Sequence, residues 1–299
     1  HPTPMAALNP RDVELRNVVA ILPGRSPRRI YVSGHYDTVN LGAQGQAGVT
    51  SGAESTERPD EGADAPGAND DGSGVVLVME LARAFAESGV EFEATLVFMA
   101  VAGEEQGLIG SRHHARRTKE LDIPVQALFN NDIVGGALSG NGIADGATVR
   151  LYSEGPEDSP SRSLARFTRR IAERYLPSHR VRLMARRDRF NRGGDHTAFN
   201  LEGLPAVGFR ESRENYAKQH SASDTIDGVS FTYLLQNARV NAAAMATLAL
   251  APPPPEIYTE RGQPMLDRRP SGYDAHLRWN ASPGAAGYRI FWRDAWGPD

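Results

Sequence analysis

Ala94-Thr95-Leu96-Val97-Phe98-Met99-Ala100-Val101, running on into Ala102-Gly103-Glu104-Glu105-Gln106-Gly107, is the stretch whose reading decides the architecture. Its first eight residues form a short, almost wholly apolar run, which reads as a buried strand. Glycines and two adjacent carboxylates follow at once, so the chain leaves the strand through a polar turn, and a helix is expected from about Leu108. Polar, charge-bearing residues at the carboxyl end of a buried strand mark the edge where open α/β sheets place their sites.

The same grammar recurs on either side. Upstream, Val18–Leu22, Pro23-Gly24 and Ile30–Ser33 read as two strands around a turn, with His35-Tyr36-Asp37 following the second. Gly74–Glu87 carries Val75, Val78, Leu81 and Phe85 at helical spacing and predicts a buried helix. Downstream, Val125–Phe129 is a strand ending at Asn130-Asn131-Asp132, Leu164–Tyr175 an amphipathic helix, Ala206–Phe209 a short strand and Phe231–Leu250 a long alanine-rich helix. Strands alternating with helices predict an α/β fold: a three-layer sandwich in which a mostly parallel, mixed sheet is flanked by helices. Leu41–Pro66, rich in Gly, Ala, Ser and Glu, reads as a long surface loop.

Pro252–Pro255 cannot continue a helix and sets a boundary near 251. The expected division is a domain over 1–251 and a proline linker with a short C-terminal β tail over 252–299. Ala275–Trp279 and Gly287–Arg293 around Pro283-Gly284 have a strand-turn-strand signature.

Composition excludes several function classes. With 299 residues and a formal net charge of −4 there is no basic field for nucleic acid, and no apolar run reaches the roughly 20 residues of a transmembrane helix. Cysteine is absent, so any metal must sit on His, Asp or Glu and no thiol can act as nucleophile. There is no His-Glu-x-x-His helix and no Gly-x-Ser-x-Gly elbow.

The candidate site residues cluster at strand ends. In an extended backbone Asp37 lies on the same side as His35 and can orient its ring, as a carboxylate does for a metal-bound histidine; a purely structural pair is the bland alternative. Pro66-Gly67-Ala68-Asn69-Asp70-Asp71-Gly72-Ser73-Gly74 sets adjacent carboxylates among glycines before an apolar helix, an arrangement suited to a cation and also to a helix cap. For Glu104-Glu105 the natural division is Glu105 to a metal and Glu104 as general base; a favourable helix-start pair is the alternative. Asp132, and His220 in Lys218-Gln219-His220-Ser221-Ala222-Ser223-Asp224-Thr225, complete the set. His113 and His114, among Arg112, Arg116, Arg117 and Lys119, read as a solvated basic face.

Taken together these segments resemble the di-zinc exopeptidases, which include bacterial leucyl aminopeptidases, plasma-type carboxypeptidases, glutamate carboxypeptidase and glutaminyl cyclases. The resemblance covers about residues 17–250 and is sharpest at Glu104-Glu105-Gln106-Gly107-Leu108-Ile109-Gly110-Ser111. It implies two Zn²⁺ per chain, with Asp70 bridging both, His35 and Asp132 completing one position and Glu105 and His220 the other. It implies Glu104 as the proton shuttle, Asp37 as the residue orienting His35, Asp224 as a comparable support for His220, and a cis peptide at Asp70-Asp71. The implied activity is removal of the N-terminal residue from peptide or aminoacyl substrates. A carboxypeptidase or dipeptidase, a glutaminyl cyclase and a metal-free binding protein are the alternatives. The family, the lack of cysteine and a first residue, His1, that is not Met lead to an expectation of a secreted or periplasmic monomer.

Two departures stand out. Some relatives have Tyr before the last histidine, where this chain has Gln219, with Tyr216 four residues before His220. Arg192-Gly193-Gly194-Asp195-His196 is similar to the family's Ser-Asp-His segment with Gly194 in place of Ser, which makes Arg192 and His196 candidate substrate contacts and, equally, Asp195-His196 a helix entry. The tail resembles the opening strands of a fibronectin type III domain, with Trp279 and Tyr288 at core positions.

Overall fold

The computed structural model describes residues 13–41, 62–190, 192–260, 263–264, 266–267 and 276–294. Most of the expected Leu41–Pro66 loop, residues 42–61, lies outside them. The chain divides into two compact units, His1–Ala249 and Leu250–Asp299.

The first unit is the expected three-layer α/β fold. Its strands are β1 (Val18–Leu22), β2 (Ser26–His35), β3 (Ala94–Val101), β4 (Val125–Asn131), β5 (Thr148–Ser153), β6 (Arg180–Met184) and β7 (Ala206–Glu211). Its helices are α1 (Gly72–Glu87), α2 (Ile109–Glu120), α3 (Pro160–Tyr175), α4 (Asp195–Leu201) and α5 (Phe231–Leu250). The seven strands lie in the order β1-β3-β2-β4-β7-β5-β6. β3, β2, β4 and β7 are mutually parallel, while β1 runs antiparallel to β3 and β5 antiparallel to β7.

The pleat divides the core. Ile30, Val32, Leu96, Phe98, Ala127 and Phe129 face one way, against Leu77, Leu81 and Phe85 of α1 and Val240, Ala244 and Met245 of α5. Tyr31, Val97, Met99 and Leu128 face the other way, against Ala115 of α2 and Ala198 and Phe199 of α4. Burial on both faces is what makes these strands continuous apolar runs. It also brings the carboxyl ends of four parallel strands to one edge.

Some expectations change. Val18–Leu22 and Ile30–Ser33 do flank a turn, yet they are not neighbours, because β3 inserts between them. β5 and β6 escaped the apolar reading because Arg150, Arg180 and Arg182 break up any continuous apolar run. His114 does not sit on a solvated face: its ring packs edge-on to Tyr31 at 5.6 Å and against Phe199 at 6.1 Å, while His113 is exposed.

In the second unit, Thr259–Glu260 (β8) pairs with Gln263–Pro264 (β9), and Leu266–Asp267 (β10) with His276–Leu277 (β11). Trp279 bridges Ile257 and its ring meets Tyr288 edge-on at 5.4 Å. The strand expected over Gly287–Arg293 does not form: no described segment offers it a ladder, and an isolated strand leaves its backbone bonds to water.

Candidate metal centre

His35 ends β2, Glu104 and Glu105 follow β3, Asp132 follows β4, His220 lies in the loop after β7, and Asp70 lies just before Asp71, the N-cap of α1. The parallel edge therefore gathers residues from five separate segments. Nitrogen and oxygen atoms of His35, Asp70 and Asp132 lie within 4.8 Å of one another, as do those of Asp70, Glu105 and His220, and those of His35, Glu104 and Glu105. Asp70 belongs to two of these groups and divides its oxygens between them: Oδ1 is 3.2 Å from His35 Nε2 and Oδ2 is 3.2 Å from His220 Nε2.

The segment 67–74 is held by bonds from every side. The Asp70-Asp71 peptide is cis. Asp71 caps α1 through Gly74 N at 3.0 Å and also accepts from His35 N at 3.0 Å and Ile133 N at 3.2 Å, tying together the ends of β2, α1 and β4. Asn69 accepts from Gly135 N at 2.8 Å and donates to Glu211 at 3.0 Å. Gly74 is required by close approach, since a Cβ there would lie 2.2 Å from the Asn131 carbonyl oxygen.

Two supporting roles differ from expectation. His35 Nδ1 bonds the Asp37 carbonyl oxygen at 2.9 Å, whereas the nearer Asp37 carboxylate oxygen is 3.8 Å away. A carbonyl only accepts, so Nδ1 carries a proton, and Nε2 is the ring nitrogen turned to the site. The Asp37 carboxylate instead accepts from Glu104 N at 3.2 Å and Glu105 N at 3.1 Å, holding the acidic turn in place. Asp224 likewise accepts from Asn69 N and, at 2.9 Å, from Asp70 N, so it supports the shared carboxylate's peptide and not His220. His220 has φ 54°, a left-handed conformation that histidine tolerates better than most residues.

Charge inside this cluster is unbalanced. Burial alone would lower the pKa of His35, but facing Asp132 and Asp70 raise it well above the imidazole range. Burial, with Asp132 and Asp70 nearby, lifts Glu104 well above the carboxylate range; burial with Asp70 and Glu104 does the same to Glu105. The cluster calls for added positive charge.

A divalent ion suits the donors. Two atoms each about 2.05 Å from a tetrahedral zinc stand roughly 3.3 Å apart. His220 Nε2 is 3.2 Å from Asp70 Oδ2 and 3.3 Å from Glu105 Oε2, and His35 Nε2 is 3.2 Å from Asp70 Oδ1. Glu105 Oε1 and His220 Nδ1 are buried without a hydrogen-bond partner in the protein.

Behind Asp132 lies a buried ion network that spacing did not reveal. Arg210, 1 % exposed, donates to both Asp132 oxygens, at 2.5 and 2.7 Å, and to the Gly193 carbonyl at 2.9 Å. Burial opposes ionisation of Asp132, but Arg210 and His35 hold its pKa at about 2. Asp188 joins Arg210 at 3.4 Å to Arg189, which donates to Glu214 at 2.5 Å; Arg150 donates to Glu214 as well. Burial opposes ionisation of Glu214, and Arg189, Arg150 and Arg210 hold its pKa at about 2. The arginines read in isolation as surface charge, and only Arg210 inside the apolar run of β7 was a signal.

The substrate candidates sit against this network. Arg192 donates to Gln219 at 3.0 Å and stacks over the Tyr216 ring, while Gln219 donates to Glu214 at 3.2 Å and the Tyr216 hydroxyl lies 3.5 Å from the same carboxylate. His196 is fully buried, bonded through Nε2 to the Arg187 carbonyl at 2.8 Å and packed under Gly208. It enters helix α4 with Asp195 and does not line a cleft. A small cleft of about 80 Å³ is lined by Asn69, Gly136, Leu138, Glu211, Gln219 and Asp224, of which Asn69 and Gln219 are the chain neighbours of Asp70 and His220.

Comparison with known proteins gives the family. The model of Peptidase family M28 matches residues 17–245. A probable zinc metalloprotease of Leptosphaeria maculans is 35% identical over 97% of this chain and 69% of its own length, and the chain spans 58% to 69% of the curated relatives it matches. Among solved structures, the LapA aminopeptidase of Legionella pneumophila superposes with a TM-score of 0.60 at 24% identity, covering 79% of this chain and 55% of that one. A Fimbriiglobus ruber glutaminyl cyclase gives 0.57 at 24% identity, covering 78% and 75%. These likenesses extend to the fold, and the family match spans every segment that builds the cluster around Asp70: the chain belongs to Peptidase family M28.

Proposed function

We propose that the chain is a zinc metallopeptidase that removes the N-terminal residue from peptides with two Zn²⁺ ions. The observation that carries this is Asp70, whose two oxygens face two different histidines at the same 3.2 Å. His35 and Asp132 would hold one ion, Glu105 and His220 the other, with Asp70 common to both. Zinc bound there supplies an acidified water and a polarised scissile carbonyl.

The chain's own residues do the rest. Glu104, held in place by the bond from its N–H to Asp37, takes the proton of the attacking water and returns it to the leaving amine. The substrate's free α-amino group finds its countercharge in the acidic cluster, and the side chain of the residue removed has the cleft bounded by Asn69, Glu211 and Gln219.

The test is a panel of aminoacyl and N-blocked substrates assayed with zinc and with chelator, on wild type and Glu104→Gln. Zinc-dependent hydrolysis of unblocked substrates, lost in Glu104→Gln with metal content unchanged, is the expected result. Hydrolysis of N-blocked substrates alone would favour a carboxypeptidase or dipeptidase. Cyclisation of N-terminal Gln with one zinc per chain would favour the cyclase.

A further inference from the structure

Asp132 is the one member of the candidate metal centre whose two carboxylate oxygens are both taken by a cation of the protein itself. Arg210 meets them side-on, Nη1 to Oδ1 at 2.5 Å and Nη2 to Oδ2 at 2.7 Å, and Nη1 lies 3.2 Å from the Asp132 carbonyl oxygen as well. The guanidinium is fixed from behind by the Gly193 carbonyl oxygen at 2.9 Å and by Asp188 at 3.4 Å. Gly194 makes room for it: a Cβ at that position would lie 2.8 Å from Arg210 Nη2 and 3.2 Å from Asp132 Oδ2. Nothing comparable touches Glu105 or His220, where Glu105 Oε1 and His220 Nδ1 have no partner.

We infer that Arg210 is a positioning residue that makes the two metal positions unequal, so that the ion on the His35–Asp132 side is held more loosely and leaves first. The inference rests on the two-ion reading proposed above. An ion that binds Asp132 must share its oxygens with a guanidinium and accept a like charge beside it, whereas an ion between Glu105 and His220 meets no protein cation on its ligands. A neutral hydrogen-bond donor in the same place would orient the carboxylate without the repulsion. Arg210→Gln supplies that donor, and Asp188 keeps Arg189 as a partner at 3.1 Å, which limits the damage to the fold. Asp188→Asn acts in the opposite sense, leaving Asp132 as the main countercharge of Arg210.

The experiment is equilibrium dialysis of the full chain, loaded with excess zinc, against rising dipicolinate, with zinc per chain measured by atomic emission and folding by circular dichroism. Wild type is expected to fall from two zinc to one and then to none, with the steps separated by about tenfold or more in chelator. Arg210→Gln should narrow the separation by about tenfold, the scale of effects of outer partners on metal ligands. Asp188→Asn should widen it. Two ions leaving wild type together overturn the inference and spare the two-ion reading. A folded Arg210→Gln whose separation is unchanged or wider also overturns it, and marks Arg210 as an aid to binding. One zinc at saturation in wild type and variant alike overturns the two-ion reading itself. If Arg210→Gln does not fold, wild type and Asp188→Asn decide the matter between them.

Discussion

The two sides of the candidate metal centre are built on opposite plans. Around Glu105 and His220 the protein leaves buried polar atoms without partners, and Asp37 and Asp224 act only on backbone N–H groups nearby. Around Asp132 every oxygen is answered from within, by Arg210 and the chain of ion pairs through Asp188, Arg189 and Glu214. An unanswered buried atom costs free energy unless something from outside completes it. The first side is thus made for a ligand, while the second is close to self-sufficient and gives rigidity to the edge on which the first is mounted.

The comparison can be broken most severely at Asp70, the residue both sides share. Asp70→Ala should reduce zinc to one per chain or fewer and lower hydrolysis by more than roughly 100-fold, the upper range for residues that merely support a ligand. Two zinc per chain retained in that variant would show the sides to be independent. Glu214→Gln attacks the self-sufficient side alone. It leaves Arg189 and Arg150 short of a countercharge and should cost about 3 kcal/mol in urea unfolding.

Acid sharpens the same contrast. The folded pKa of Glu214, about 2, lies below its unfolded value near 4.5, so its contribution is complete above pH 4.5 and is lost as pH falls towards 2. Melting temperatures of wild type and Glu214→Gln between pH 5 and pH 2 should therefore converge as pH falls; parallel curves would mean that Glu214 is not held ionised by the arginines. The smallest effect is expected at Asp37. Asp37→Asn keeps the carbonyl that orients His35 and weakens only the bonds from Glu104 and Glu105 N–H, so kcat should drop less than about tenfold with zinc content unchanged. Loss of zinc there would return Asp37's carboxylate to the role of orienting His35.

Much of the fold was legible because periodicity is local. Ala94–Val101 is a strand over the residues its apolar run predicts, and Phe231–Leu250 is a helix over its own. β5 and β6 were not legible, since their arginines make sense only once Arg150 is seen reaching Glu214 from a neighbouring strand. Among the site residues, His35, Asp70, Glu104, Glu105, Asp132 and His220 were candidates by type and position, and only the joint resemblance to the di-zinc exopeptidases made them a set. Glu211 and Arg210 were not candidates: a buried carboxylate accepting from the Asn69 side chain and Gly136 N–H, and a buried arginine holding a carboxylate, look, in sequence, like any surface charge.

Residue type and short-range spacing were enough for most of the elements and their order, and for the acidic and histidine residues that follow strands β2, β3 and β4. What each of them touches comes from the folded chain. That Asp37 serves the Glu104-Glu105 turn, that Asp224 serves the Asp70 peptide, and that Arg210 of β7 takes hold of Asp132 after β4 all depend on strand register and on burial, which bring distant residues together where water can no longer solvate their charge.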